Sequence, residues 1–322
     1  MTKRAPKTDA AFEQTLSVII PARNAARTLP ALLDCILELS TPPGWKKEIV
    51  ASYTESNDDT LNVLESRAIK IVRSETPGPS AARNAGVRIA TGSIYYFIDA
   101  DARPVGDDFL VRLIHSVEEL GSQESFAGFG GPILLDPSQS HNPIAQADHF
   151  ACWFNWSELR RNQRTTLFQP SVSLVMTRQV FESLGGFDER IRVLEDFDLH
   201  QRALSAGYSF YFVQDFAVTH RARGTLLKSW RHSWYWGAPY RSAYFEKVRD
   251  TKLKIPLDSK WFWLNLPAVF FRRMRLVLRS ARRISVWRTL ISLPFIAWTV
   301  FSWSLAAVLG GGQPSPEKPH AA

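Results

Sequence analysis

Short apolar runs alternate with helix-spaced polar stretches through the first hundred residues. Leu16-Ser17-Val18-Ile19-Ile20-Pro21 reads as a buried strand, followed by a turn at Ala22-Arg23-Asn24 and a helix over about 28–39. The strand pattern returns at 47–53 and 69–73, with a helix over 58–67 between them. Pro79-Ser80 opens a third helix that runs to about Ala90, Gly92 ends it, and a fourth strand covers 93–98. Strands alternating with such helices predict a parallel α/β sheet. Their unbroken apolar character predicts that both faces are covered. Ligands of such sheets sit at the carboxyl ends of the strands, which gathers 21–24, 53–59 and 99–101 at one cleft.

The second half is less regular. Strand-like runs occur at 128–135, 172–177 and 208–213, and a further one ends at His220. A helix at 178–184 is stopped by Gly185-Gly186, a short one at 199–206 is closed by Gly207, and 149–156 is rich in aromatic residues. Residues 289–309 run 21 positions without a charge, which as a helix spans about 30 Å. A transmembrane helix and a buried core helix, with Pro294 and several Ser/Thr, both fit. Before it, Phe270, Met274, Val277, Leu278, Ala281 and Ile284 share one helical face, and Arg272, Arg275, Arg279, Arg282 and Arg283 fall mostly on the other. That is the pattern of a helix lying in a membrane surface with arginines on anionic lipids; an ordinary basic surface helix gives it too.

Charge separates these parts. Residues 1–220 carry 21 Lys/Arg against 27 Asp/Glu, whereas residues 221–290 carry 17 against 3. No recognised nucleic-acid motif accompanies the basic segment, so no nucleic-acid partner is expected. Positive charge on the N-terminal side of 289–309 places the main domain in the cytoplasm, at the cytoplasmic membrane. Two cysteines, Cys35 and Cys152, are too few for a disulfide framework. The first 14 residues lack the apolar core of a signal peptide. The expected division is a flexible start (1–15), a catalytic domain (16–225), a basic aromatic membrane-proximal segment (226–288), a transmembrane helix (289–309) and a disordered tail (310–322).

Three groups of residues carry candidate chemistry. Asp99 and Asp101 follow a buried strand, and in an extended chain both face one hard cation, Mg²⁺ or Mn²⁺. Glu195-Asp196-Phe197-Asp198 precedes a helix, where one acid would serve as a cap and a second as a general base. Arg83 and Asn84 lie in the first turns of the helix before Asp99, as a phosphate partner or as surface residues, and His220 is a possible metal or phosphate ligand.

Taken in order, SVIIPARNAARTL, ESNDDT, GPSAARNAGVRIATGSIYYFIDADA, GGFDERI, EDFDL and VTH resemble the family 2 glycosyltransferases of the GT-A fold, over roughly residues 16–225. The likeness lies in the set and its spacing rather than in any single piece. It implies that the catalytic domain, 16–225, is an α/β, Rossmann-like GT-A nucleotide-diphospho-sugar transferase domain, with a C-terminal membrane-associated helical segment behind it. It implies that Pro21, Ala22 and Asn24 line the nucleotide pocket, that Ser56 and Asp58 belong to its base and ribose side, and that Arg83 and Asn84 lie near the diphosphate. Asp99 would face the ribose and metal, Asp101 would bind the metal, and His220 would be a further ligand. Asp196 would be the catalytic base beside Glu195, with Gly185 and Gly186 shaping the sugar–acceptor pocket.

Two departures qualify this. Where the family often has an Asp-rich run, this chain reads Tyr53-Thr54-Glu55-Ser56. The Asp that usually holds uracil is missing, so UDP is in doubt unless Glu55 or stacking on Tyr53 substitutes. SWRHSWYWG does not match the Gln-x-x-Arg-Trp motif of processive members, which points to transfer of a single sugar. The expected activity is inverting transfer from a nucleotide-diphosphate sugar to a lipid-linked or envelope-glycan hydroxyl. A non-catalytic nucleotide-sugar-binding protein is opposed by Asp99, Asp101 and Asp196 together. A nucleotidyltransferase would want a glycine-rich loop after the first strand, and PARNAARTL has no glycine.

Overall fold

The computed structural model describes residues 14–240 and 259–310. The expected flexible start and disordered tail lie outside these residues except at their inner edges, where Gln14 and Thr15 already belong to the first strand.

The first half follows the predicted alternation: β1 (Gln14–Ala22), α1 (Leu29–Glu38), β2 (Trp45–Tyr53), α2 (Thr60–Glu65), β3 (Lys70–Arg73), α3 (Pro79–Ile89) and β4 (Ile94–Ile98). Next come β5 (Ala102–Pro104), α4 (Phe109–Gly121), β6 (Phe126–Gly130), β7 (Ile133–Leu135) and α5 (Pro143–Trp153). They are followed by β8 (Gln163–Thr165), β9 (Ser173–Thr177), α6 (Arg178–Ser183), α7 (Glu195–Ser205), β10 (Ser209–Phe212) and β11 (Val218–His220). Helix α4 has no counterpart among the predicted elements, although Phe109, Leu110, Leu113, Ile114 and Val117 are buried at helical spacing.

Eight strands form one sheet, in the order β3-β2-β1-β4-β9-β6-β10-β8. β1 to β4 are parallel, as expected, but the sheet as a whole is mixed. β9 runs antiparallel to both β4 and β6. It therefore begins where β4 ends, Ser173 opposite Ile98, and the residues just before it join the cleft at the carboxyl edge. Alternate side chains feed two cores. Leu16, Val18, Ile20, Tyr96 and Ile98 pack with α1 and α4, and Ile19, Tyr95 and Phe97 with Phe181, Phe187 and Leu199.

Three short strands form a second sheet, β5-β11-β7. The single strand predicted at 128–135 is thus two strands in two sheets. The chain crosses between them at Gly131, where a Cβ would stand 2.1 Å from the Phe216 carbonyl oxygen, so only glycine fits.

Three C-terminal helices complete the chain: α8 (Leu226–Gly237), α9 (Leu266–Ile284) and α10 (Val286–Leu309). The apolar stripe of α9, expected to lie in a membrane surface, faces the protein instead. Val277 and Ala281 are buried against Ala147, Phe150 and Ala151 of α5 and Ile296 and Val300 of α10, with Phe270, Met274, Leu278 and Ile284 at the border. Those two helices supply the apolar partner that the sequence alone could not place.

Helix α10 is the one described helix long and apolar enough to cross a membrane by length and composition. Its buried face mixes apolar side chains, among them Ile296, Val300, Trp303 and Ala307, with five hydroxyls. Thr289, Ser292, Thr299, Ser302 and Ser304 are buried. Ser292 Oγ donates to Gln146 Oε1 at 3.3 Å, Ser302 Oγ to the Trp230 carbonyl at 2.8 Å, and the Thr299 and Ser229 hydroxyls pair at 2.9 Å. Trp287, Leu290, Ile291, Trp298 and Phe301 point outward, Trp287 being 71% and Leu290 57% exposed.

Candidate active site

Asp99 leaves the end of β4, and the turn Asp99-Ala100-Asp101 is closed by the Ala102 N–H donating to the Asp99 carbonyl at 3.0 Å. The two carboxylates meet through this turn, not through the extended chain expected. β5 then pairs with β11, Ala102 opposite His220, which sets His220 Nε2 3.3 Å from Asp101 Oδ1. Arg223 Nη1 stands 3.7 Å from the other oxygen of Asp101. The ligand atoms of Asp99, Asp101 and His220 lie within 4.8 Å of one another. Burial opposes charge on His220, but the Asp101 carboxylate outweighs it and holds the imidazole above its ordinary range. Burial likewise pushes Asp101 up, and His220 and Arg223 pull it well below the usual carboxylate range. Among the described residues, His220 Nδ1 is buried without a hydrogen-bond partner. Two carboxylates and an imidazole suit an oxygen-preferring divalent ion that keeps positions for phosphate, so the residues fit Mg²⁺ or Mn²⁺.

Asp99 has a second partner. Arg83, on the first turns of α3, donates from Nη2 to Asp99 Oδ1 at 2.7 Å and from Nη1 to Glu195 Oε1 at 2.8 Å. The arginine is buried, so the surface reading of it fails. Burial opposes its charge, and Asp99 and Glu195 together raise its pKa.

Leu194, at φ 69°, turns the chain into α7, and Glu195 and Asp196 are carried into the cleft, both buried. Asp196 accepts from the Phe197 N–H at 2.8 Å and from the Ser171 N–H at 3.2 Å. The first of these is part of the capping role considered for this run. Burial foremost, and then the Glu195 charge, push Asp196 up to about 7; burial also raises Glu195, against the pull of Arg83. A carboxylate poised near neutral pH is suited to general-base work.

The residues assigned to the nucleotide pocket are held on each other. Asn24, at φ 49°, donates its N–H to Ser56 Oγ at 3.0 Å and accepts from the Asn57 N–H at 2.8 Å. The Ala26 N–H donates to Asp58 Oδ2 at 3.0 Å. Pro21 and Ala22 end β1 beside Ser52 and Tyr53 of β2. Tyr53 is 5% exposed, with the Arg73 guanidinium 5.5 Å from its ring centroid, so its ring is not free to stack on a base. Asn84 is turned to the glycine loop: its amide bonds the Phe187 N–H and carbonyl at 3.1 and 2.8 Å. Gly185 and Gly186, both at positive φ, shape that loop and do not line the cavity beside Asp196.

This cavity, of about 170 Å³, is lined by the charged Arg83, Asp99, Glu195 and Asp196 and by the aromatic Trp153, Trp156 and Phe168. The volume suits about one ring-sized group. Its remaining wall comes from the C-terminal helices. Behind it, the Trp236 indole donates to His232 Nε2 at 2.9 Å. An indole N–H only donates, so His232 carries its proton on Nδ1 and gives it to Asp148 Oδ1 at 3.2 Å. Asp148, Cys152 and His232 lie close enough to hold a metal, but this tautomer makes them a hydrogen-bonded prop.

Sequence reasoning missed Ser171, Arg223 and the aromatic wall. Arg223 follows His220 by three residues and was open to detection on that ground; Ser171 carries no signal, because only the reversed β9 brings it here.

Known proteins share this organisation. The profile of Glycosyl transferase family 2 matches residues 17–163, and that of Glycosyl transferase family group 2 matches residues 94–310. Glycosyltransferase AglE of Haloferax volcanii is 28% identical over 222 residues, which cover 66% of this chain and 69% of that protein. The PGL/p-HBAD biosynthesis glycosyltransferase of Mycobacterium bovis is 27% identical over 297 residues, 89% of this chain and 96% of that one. The mannosyltransferase PcManGT from Pyrobaculum calidifontis, solved in complex with GDP-Man and Mn²⁺, superposes with a TM-score of 0.58 at 20% identity, covering 91% of this chain and 85% of its own. TarS 1–349 of S. aureus superposes with a TM-score of 0.51 at 15% identity, covering 91% and 90%. The shared architecture is the GT-A fold.

Proposed function

The chain belongs to Glycosyl transferase family group 2, and from that premise we propose an inverting, metal-dependent enzyme that moves one sugar to a hydroxyl of a lipid-linked or cell-envelope glycan acceptor. That it is a glycosyltransferase using a nucleotide-sugar donor follows from its relatives. The observation that carries the finer reading is Asp196: a buried carboxylate, pushed up to about 7, lining one cavity with Asp99 and Arg83.

Asp196 takes the proton from the acceptor hydroxyl as it attacks, a transfer worth about 10²–10⁴ in rate. Ser171 N–H fixes one oxygen of that carboxylate and the Phe197 N–H the other. Attack of that hydroxyl on the sugar as its diphosphate departs is a single displacement, which inverts the anomeric centre. Arg83 holds Asp99 and Glu195 in place. Asp99, Asp101 and His220 would hold Mg²⁺ or Mn²⁺, which when bound neutralises charge developing on the leaving diphosphate. Pro21, Ala22, Asn24, Ser56 and Asp58 are assigned to the nucleotide end, whereas Asn84, Gly185 and Gly186 hold the loop after α6 and do not line the cavity.

We also propose that the C-terminal helices hold the enzyme on the cytoplasmic face of the membrane, with residues 16–225 as the catalytic part. The outward face of α10 supports this, because a helix that exposes Trp287, Leu290 and Ile291 while burying five hydroxyls suits lipid better than water. Exposed Arg275, Arg279, Arg282 and Arg283 on neighbouring α9 suit anionic headgroups.

The test is incubation of the full chain with a panel of nucleotide sugars and either Mg²⁺ or Mn²⁺. One donor should release its nucleotide diphosphate, chelation should stop this, and the sugar should emerge with inverted configuration. A folded protein that hydrolyses no donor with either metal would overturn the catalytic reading.

A further inference from the structure

The C-terminal part of the chain lines the cavity with Trp236 of α8, Tyr240, Arg273 of α9 and Trp303 of α10. The scheme above gives Arg273 no task. Its guanidinium lies 3.7 Å from the centroid of the Trp303 ring and 5.4 Å from that of Phe154, and Nη2 donates to the Ala151 carbonyl at 2.9 Å. Among the described residues it makes no ion pair, and its Nε is buried with no acceptor. Asp148, buried on α5, is already taken by His232 Nδ1 at 3.2 Å and the Arg223 N–H at 2.9 Å, and buried Glu195 and Asp196 are held by Arg83 and by the Ser171 and Phe197 N–H groups.

A guanidinium does not give up its proton. Arg273 is therefore a fixed positive charge in an apolar wall, and such a charge is costly unless something pairs with it. Stacking on Trp303 offsets part of the cost. It also holds the planar fork in one orientation, which favours an anion with two oxygens. The surfaces around it are indole and phenol rings, which favour a flat or aliphatic body.

We propose that Arg273 is the anion-binding residue of the acceptor subsite: the acceptor places an apolar body in this cavity and pairs a carboxylate or phosphate with Arg273 while its hydroxyl faces Asp196. The proposal rests on the proposed function only in calling the cavity the acceptor's; recognition of the anion needs no turnover. It also gives the C-terminal helices a place in the site itself, since without α8, α9 and α10 the cavity loses this wall.

Binding of matched probes to the full-length protein tests it: octyl phosphate against octanol, and 4-butylbenzoate against 4-butylbenzamide, followed by tryptophan fluorescence. In the wild type at least one anion should bind roughly tenfold or more tightly than its neutral partner. Arg273→Gln should remove that advantage and leave the neutral probes within about twofold, and Arg273→Lys should keep part of it. Preference for octyl phosphate identifies a lipid phosphate as the source of the anion, and preference for the benzoate identifies an aryl acid. Equal affinities for charged and neutral probes in the wild type would overturn the proposal whatever the variants do, as would an advantage that survives in Arg273→Gln. Donor hydrolysis measured on the same samples keeps the two readings apart. Its absence beside an intact anion preference removes the enzyme reading and leaves the subsite standing.

Discussion

Arg83 and Asp99 meet at 2.7 Å across 16 residues of chain, and the same guanidinium reaches Glu195 on α7 at 2.8 Å. One cation thus ties α3, the end of β4 and the start of α7. Lys keeps the charge but cannot bridge two carboxylates as a fork does. Arg83→Lys should therefore lower kcat/KM by about 10–100-fold in a folded protein. Arg83→Gln removes a charge that holds Asp196 down, so the acid limb of its pH–rate profile should move to higher pH than in the wild type.

Asp196→Asn should lower kcat by roughly 10²–10⁴-fold and leave donor affinity, measured by titration calorimetry, within about threefold. Equal loss of donor binding would remove Asp196 from the role of base. Because burial and Glu195 push Asp196 up to about 7, wild-type activity should fall as pH drops through about 7, far above the range of an ordinary aspartate. Stability moves the opposite way. The folded pKa lies above the unfolded one, so ionisation of Asp196 weakens the fold progressively above about pH 4 and fully above about 7. Asp196→Asn should raise Tm at pH 8 and leave it unchanged at pH 4.

The strand–helix alternation and the cleft at the carboxyl edge were legible because β1 and β4 carry local, nearly unbroken apolar runs and β2 and β3 shorter ones. Asp99, Asp101 and His220 were legible as types at motif spacing, and the structure brings them together. What the sequence could not supply is whatever depends on reversed pairing or distant partners. β9 reads the same in either direction, yet only its antiparallel run puts Ser171 against Asp196. The stripe of α9 reads as amphipathic whether its partner is lipid or α5. Arg273 is one arginine among many in a basic segment until Trp303 is seen beneath it.

Glu48 had no role in the sequence reading, yet it ties four parts of the sheet edge. It accepts from Lys70 and Ser17 at 2.5 Å each and from the Thr91 N–H at 2.6 Å. Burial opposes its charge, and these bonds hold it down at about 2. With the folded pKa below the unfolded one, the stabilisation is present above about pH 4.5 and is lost as pH falls toward about 2. Glu48→Gln should cost at most about 3 kcal/mol at pH 7, a Tm loss on the order of 5 °C, and nothing at pH 2. An equal loss at both pH values in thermal melts would show a packing effect and not a charge effect.

The outward face of α10 separates lipid contact from core packing. Trp287 and Leu290 are mostly exposed, and Phe301, 41% exposed, also meets the Trp230 and Phe270 rings, so replacing all three with serine should lower Tm only slightly. Each of these side chains, once buried in lipid, contributes about 1.5–3 kcal/mol. Losing all three should weaken co-sedimentation with vesicles by at least about two orders of magnitude. The exposed arginines of α9 should make wild-type binding stronger on vesicles containing anionic lipid, and that excess should fall as salt is raised. The buried row of Ser292, Thr299 and Ser302 supplies the control. Their hydroxyls bond Gln146, Ser229 and Trp230, so replacing them with valine should lower Tm while vesicle binding by the folded protein stays. A serine-substituted face that binds vesicles as well as the wild type would remove α10 as the membrane contact.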